Sequence, residues 1–556
     1  MRFKIGPARV VVSFSTPLLG FIFFFLFQPF LIHPIFSSTD RHNAQAAPSS
    51  PERARRVAAE NQRRADLGNG FYLNPILGGE YPDPSVVRVG EDYYLTHTPG
   101  RGMPGLLIWH SRDLVNWEPV GHALHTFVGD IWAPDLIHYQ GLFYIYFPAL
   151  VRAPDGRQHR TNFVTTARNP AGPWTEPVDL NVGGIDPGHV ADVDGRRYLY
   201  IDSGRLVPLA PDGLSVKGEL RKVYGGWPIP RDWTVECFCL ESPKLLFRRG
   251  FNYLVSAQGG TAGPSTSHMI VVARSPSPAG PWENSPHNQL LHTARADERW
   301  ASQGHGTLIE ATDGSWWVMY HGWERDFRTL GRMTLLLPVS WTQDGWPVIP
   351  DDVRSSEPIR KPTGEDVGHG LPLSDDFQST RLGLQWRIWG EDESAGTFRP
   401  GNNELRMKAL GSSVADAALL TCFPVDHAYE AEVEVTVPEG VTAGLLLHYD
   451  GGHFAGAAFE KGAAFCYAQG REFDRVLCGG SGGFLRVRNM RNEAEFFWSA
   501  DGKSWTKFGA GAEVSGYHHN AFGNWGTLKI GLYAAGHGTA VFRHFRYRGL
   551  DKGPTS

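Results

Sequence analysis

From Asn74 to about Pro350, short apolar runs alternate with turn residues, and the alternation repeats. Each copy opens on an acidic residue or a histidine and continues as an apolar strand. About ten residues later a Gly or Asp turn leads into an aromatic-rich strand. The copies run Asp83–Tyr94, Asp135–Tyr144, Asp186–Tyr198, Glu241–Tyr253 and His305–Trp317, with openers 52, 51, 55 and 64 residues apart. A period near ~50 residues with hairpins inside each unit predicts a β-propeller. Its blades are four-stranded sheets around a central channel. A second element recurs within the period and ends on Trp117, Trp174 and Trp282. These tryptophans read as wedges between blade layers.

The pattern changes outside this region. Residues 1–46 carry a basic start (Arg2, Lys4, Arg9), an apolar run from Val10 to Phe36 and small residues at Ala44-Gln45-Ala46. They read as a secretory signal, with an uncleaved anchor over 10–36 as the alternative. Residues 47–70 form a polar connector with a helix start at Ser50-Pro51-Glu52, a stop at Gly68 and a solvated face between. The propeller is assigned to 71–354 and a Pro/Gly-rich linker to 355–371. Over 372–550 short strands such as Ala431–Val437, Ala443–Tyr449, Phe484–Asn489, Ala494–Trp498 and Leu528–Ala534 predict a β-sandwich or jelly roll. The expected fold is therefore all-β, a five-bladed propeller followed by a sandwich.

Composition narrows the partners. A net charge of −5 carries no basic excess, which argues against nucleic acid. The aromatic load (18 Trp, 18 Tyr, 32 Phe) serves both β cores and sugar-stacking surfaces. Five cysteines make no disulfide framework. Cys237 and Cys239 are too close in an extended strand for an easy bridge. Cys466 can pair with Cys478 across a hairpin, or both can be buried thiols.

Blade symmetry brings the five openers to one place, and four of them are carboxylic acids. Cleaving a glycosidic bond needs a proton donor for the leaving oxygen and a second carboxylate that activates water or attacks the sugar. A third carboxylate nearby raises the donor's pKa. Asp83, Asp186 and Glu241 can supply all three, because they precede their strands. Asp194 and Asp313, each followed by Gly, are ordinary turn residues.

Several phrases resemble glycoside hydrolase family 43: Asn74-Pro-Ile-Leu77, Tyr81-Pro-Asp-Pro-Ser-Val86, Trp132-Ala-Pro-Asp135, Ile185-Asp-Pro187, Leu240-Glu-Ser-Pro243, Gly304-His-Gly306 and Leu330-Gly-Arg332. The resemblance implies a five-bladed propeller of an inverting enzyme. Asp83 would be the general base, Glu241 the general acid and Asp186 the residue that tunes and orients the acid. Arg332, His305 and Trp132 would contact or wall the innermost sugar. Asp135 is grouped with the substrate-binding residues, although it also reads as structural or as a contact behind them. The family acts on β-xylosides, α-L-arabinofuranosides and arabinan. The expected substrate is thus a xylo- or arabino-saccharide, with β-D-xylosidase activity first and α-L-arabinofuranosidase second. A non-catalytic carbohydrate-binding protein or an endo-acting arabinan or xylan hydrolase is the alternative. No cofactor is implied for the chemistry. A structural calcium near His305, held mostly by water, is the one metal that the resemblance suggests. Three departures stand out. Gly188 replaces the usual Ser, Ser242 stands where Gly is common, and Pro99–Met103 lacks aromatic residues often found there. The region 374–550 resembles the concanavalin A-like domain that follows the propeller in many members, on Asp375-Asp376-Phe377, Trp386 and strand rhythm. Oligomeric state is left open.

Overall fold

A computed structural model describes residues 50–153, 155–389 and 397–551. The expected targeting segment lies outside them. Five antiparallel sheets follow one another in chain order. Blade 1 runs Ser85–Val89, Asp92–Thr96, Gly105–Ser111, Glu118–Leu124. Blade 2 is built on Asp135–Tyr139, Leu142–Arg152, Gln158–Ala167 and Val178–Asp179. Blade 3 has Gly188–Ala191, Arg197–Ile201, Arg205–Pro208 and Arg221–Lys222. Blade 4 begins with Leu240–Arg248 and Phe251–Gln258, and blade 5 with Trp300–Glu310 and Trp316–Glu324. The first strand of each blade packs on that of the next, and blade 5 returns to blade 1, which closes the ring. The N-terminal segment ties the closure: the Ile76 N–H donates to the Thr334 carbonyl of blade 5 at 3.0 Å.

Alternation explains why the rings of sheet hold together. Inward residues such as Tyr93, Leu95, Ile145, Leu199, Leu254 and Val318 are buried between neighbouring blades. Each such side chain contributes roughly 1.5–3 kcal/mol of burial. Trp117 is wholly buried in the largest propeller cluster. Trp282 donates its indole N–H to Tyr200 of blade 3 at 3.0 Å, so it does bridge blades.

The second domain is a sandwich of two seven-stranded antiparallel sheets. Its central strand Ala428–Thr436 shows the governing pattern. Ala431, Val433 and Val435 point into the core, while Glu430, Glu432 and Glu434 face outward to arginines on adjacent strands. Cross-strand pairs of this kind fix register as well as adding a few tenths of a kcal/mol, about 0.2–1 each.

Three expectations are corrected. The connector 47–70 is no solvated helix. Its helix spans Ser50–Ala59, and the following residues clamp both domains. Arg53 is buried and pairs with Glu118 of blade 1. Arg56 donates to the Ser374 carbonyl at 2.7 Å, and Glu60 accepts the N–H groups of Leu373 and Ser374. The linker 355–371 is likewise pinned, with Ile359–Arg360 paired to Phe71–Tyr72. Cys237 and Cys239 form a disulfide. Their segment is irregular, and it brings the Cα atoms to 5.1 Å, against about 6.6 Å for the same spacing in a strand. Cys466 and Cys478 are free thiols.

Burial of histidine sets the pH response of the fold. Burial holds His97, His122, His189 and His321 down to about 3 and His369 to about 4, and it also lowers His305 and His448 well below the usual range. The unfolded chain takes up these protons near pH ~6.5, so the folded chain binds fewer and loses stability as pH falls through that window. Asp426, raised by burial to about 6, acts in the opposite sense, as do the raised Asp186, Glu80 and Asp375. Seven imidazoles outweigh four carboxyls. The urea midpoint should fall between pH 7 and pH 5; a flat or rising midpoint contradicts this account.

Candidate active site

The opener residues meet by two local devices. Asp83 and Asp186 stand just before their strands with left-handed backbone, φ +57° and +50°. Such φ costs a non-glycine residue about 1–3 kcal/mol and survives only where its surroundings hold it. Glu241, expected to precede its strand, is instead its second residue. It stands at a β-bulge that separates Glu241 from Lys244 in register. His305 stands at a second bulge, again with positive φ, +56°. Bulges re-aim side chains out of a regular ladder. Asp135 has neither device.

Asp83, Asp186, Glu241, His305, Arg332 and Trp132 all line one cavity of about 450 Å³. Asp135 does not. Its Oδ1 lies 2.9 Å from the Lys244 Nζ, and its Oδ2 accepts the His189 N–H at 2.8 Å. A carboxylate buried this deeply needs such partners. Asp135 braces the inner strands of blades 2, 3 and 4 behind the cavity and does not reach into it.

The carboxyl groups differ sharply in environment. Asp83 Oδ1 sits 3.2 Å from Arg332, 3.3 Å from His305 Nδ1 and 3.0 Å from His321 Nδ1, and Thr98 donates to Oδ2 at 2.5 Å. Burial pushes this carboxyl up, but Arg332 and the two histidines outweigh it and hold it well below the usual range. Asp83 is therefore a carboxylate at any ordinary pH. Asp186 is the reverse. Burial first, then Glu241 and Asp83, push it well above the usual range, against one N–H from Ser242 at 3.0 Å. Glu241 is the more open of the three, with its side chain 20% exposed and Oε1 3.6 Å from His268 Nε2. One fixed anion, one proton-retaining acid and one solvent-reachable acid thus share a cavity. This divergence marks acid–base sites.

Two of the sequence departures have a steric cause. A Cβ on residue 188 would stand 2.0 Å from the Pro243 carbonyl oxygen, so the approach of blades 3 and 4 demands Gly188. A Cβ on Gly102 would meet Arg387 Nε at 2.9 Å. Gly102 in the Pro99–Met103 loop therefore makes room for the sandwich. Trp389, Phe423 and Trp525 of that domain supply the aromatic walls.

Sequence reasoning missed these sandwich residues, along with Lys529, and it missed Glu80, Thr98 and Arg160 in the propeller. Glu80 had a visible signal, an acidic residue three positions before Asp83 in a Gly-rich turn. It accepts the Arg332 N–H at 2.8 Å and so holds the arginine in place. The sandwich residues had none.

Asp83, His305 and His321 each bring a ligand atom within 4.8 Å of the others. This set does not suit calcium. Two of its three atoms are nitrogen, calcium takes six to eight oxygens, and the Arg332 guanidinium already stands against the same Asp83 oxygen.

Comparison with known proteins agrees with this geometry. Residues 72–347 match the model of glycosyl hydrolases family 43, and residues 374–548 match that of the β-xylosidase C-terminal concanavalin A-like domain. A non-reducing end α-L-arabinofuranosidase of Bacteroides ovatus is 33% identical over 361 residues, 60% of this chain; the chain spans 65% of that relative's length. A β-xylosidase of Bacillus subtilis is 27% identical over 546 residues, covering 85% of this chain and 99% of its own. The crystal structure of a family-43 protein from Bacillus licheniformis superposes with a TM-score of 0.78 at 29% identity, over 86% of this chain and all of that one. With both domain models matched in order and the propeller carboxyl groups gathered in one cavity, the chain belongs to glycoside hydrolase family 43.

Proposed function

We propose that the chain is an inverting glycoside hydrolase that removes terminal pentoses from xylo- or arabino-saccharides, β-D-xylosides first and α-L-arabinofuranosides second. One observation carries this reading: an ionised Asp83 shares one cavity with the acids Asp186 and Glu241. The relatives' names, xylosidase and arabinofuranosidase, support the pentose class. The sandwich residues on the cavity wall support action at chain ends, because a walled pocket admits a terminal sugar and excludes a through-running chain.

In this mechanism a water molecule attacks the anomeric carbon and gives its proton to Asp83. Glu241 gives its proton to the glycosidic oxygen as the carbon–oxygen bond breaks. Attack opposite the leaving group inverts the anomeric centre. Arg332 keeps Asp83 ionised before the proton arrives. Asp186 stands close enough to Glu241 that the two resist ionising together, and it accepts the Ser242 N–H, which fixes the strand that carries the acid. Water exclusion by the cavity walls strengthens each of these charge interactions.

We also propose export, on the basic and apolar pattern of residues 1–46. The Cys237–Cys239 disulfide supports an oxidising compartment. For a calcium near His305, the one buried nitrogen left is Nε2, which has no partner among the described residues. Such an ion would be held mainly by water and takes no part in the chemistry.

The test is hydrolysis of aryl β-D-xyloside and aryl α-L-arabinofuranoside by the purified protein, with the first-formed sugar anomer read by proton NMR. Cleavage with inversion is expected, and retention rejects the mechanism. Asp83→Ala should lower kcat on every substrate by about 10²–10⁴-fold. Glu241→Ala should lose a similar factor on xylobiose yet keep more activity on aryl glycosides with good leaving groups. Equal losses on both would remove Glu241 as proton donor. Dialysis against a chelator should leave kcat unchanged; a loss restored by calcium would show that a metal takes part.

A further inference from the structure

The charges that line the cavity do not balance once their partners are assigned. Arg101 pairs with Asp130, and Arg332 lies against Asp83 and Glu80. Burial and the neighbouring Glu241 push Asp186 toward its neutral form. Arg160 of the propeller is exposed and lies over the Trp132 ring, so two buried cations remain, Arg387 and Lys529 of the sandwich domain, and neither has a carboxylate within ion-pair distance among the described residues.

Both are deeply buried. Arg387 is 9% exposed, lies over the Phe423 ring at 5.4 Å and donates through Nη2 to the Gly102 carbonyl. Its Nε is buried with no hydrogen-bond partner among the described residues. Lys529 is 3% exposed and sits over the Trp389 ring at 4.3 Å. Its Nζ donates to the carbonyls of Thr527 at 2.8 Å and Tyr449 at 3.1 Å, which leaves one of three ammonium donors unused. Burial, then Arg387, pulls this ammonium down to about 7, while Glu80 and Asp450 act against that fall from beyond ion-pair range. Burying two neighbouring cations without an anion in direct contact costs several kcal/mol. Hydroxyl groups of a neutral sugar do not need them, since backbone and amide groups bind hydroxyls without that penalty. Bracing two carbonyls accounts for part of Lys529 and for nothing at Arg387 Nε. The glycine at 102 exists to admit this arginine to the wall.

We propose that this wall of the cavity binds a uronic acid, a sugar whose carboxylate is received by Arg387 and Lys529 while its ring lies among Phe423, Trp389 and Trp525. The inference rests on the reading of the cavity as a sugar site and goes beyond the pentose class. A carboxylate is the anion that fits both donors: planar toward the guanidinium and charge-assisted toward the ammonium. On a xylan-type substrate the group would be an acidic side-chain sugar next to the bond that is cut.

The test is calorimetric titration of the full chain with D-glucuronate, D-glucose, D-xylose and acetate near pH 6. Glucuronate should bind about tenfold or more tighter than glucose, its neutral counterpart, as a charge-assisted pair predicts. Lys529→Met and Arg387→Gln should each bring the two affinities together, with melting temperatures measured to confirm folding. Equal binding of glucuronate and glucose by the unaltered chain overturns the proposal, and that comparison does not depend on any variant. Acetate binding as tightly as glucuronate overturns it in favour of a bare small-anion site. Xylose binding without a preference for glucuronate rejects the uronate site and leaves the pentosidase reading standing. No binding by any sugar rejects both.

Discussion

A carboxylate at 5% exposure cannot remain ionised without a counter-charge, and at Asp83 that charge is Arg332. Much of the site follows from this pair. Glu80 holds the arginine backbone, Thr98 holds the second carboxylate oxygen, and His305 and His321 close the remaining side. Because Arg332 opens the third strand of blade 5 and Asp83 precedes blade 1, the pair also lies across the seam where the ring closes. The ionisation of Asp83 and the closure of the ring therefore depend on the same contact. Asp186, by contrast, is pushed upward by burial and by Glu241.

The sandwich works as part of the cavity wall. Its position is set by polar contacts at several points. Arg63 reaches Glu324 at 3.0 Å, His427 reaches the same carboxylate at 2.9 Å, and Thr329 of the propeller pairs with Asn492 at 2.7 Å. Glu324, 4% exposed at its side chain and satisfied by Arg63, Arg299 and His427, is the polar anchor of this interface. The stretch after the helix Ser50–Ala59 reinforces it from the N-terminal side. A wall held at so many points can carry two unpaired cations into a sugar pocket without opening.

Repeat spacing was enough to read the five blades, and strand alternation was enough to read the sandwich. Each depends on a local period that a short window of residues displays. Asp83, Asp186, Glu241 and His305 were legible for the same reason, since they recur at one phase of the repeat, whereas Arg332 was legible only through the family phrase Leu330-Gly-Arg332. Asp135 shows where phase alone misleads. It opens its blade like the others, yet it lacks a left-handed turn or a bulge, and Lys244 keeps it behind the cavity. The cysteine pair misled in another way, because the tight path of residues 237–239 is set by the loop and not by a strand.

The sequence by itself determined the architecture, the domain order and the set of carboxyl groups, since all three are written in periodicity and spacing. Tertiary structure alone decided which carboxyl group stays ionised, because that depends on a counter-charge 249 residues away, Arg332 beside Asp83. It also decided what else the pocket contains. Arg387, Phe423, Trp525 and Lys529 lie about 300 to 450 residues beyond Asp83 in the chain and belong to another domain. No local pattern marks them, because their role arises only where two separately folded cores meet.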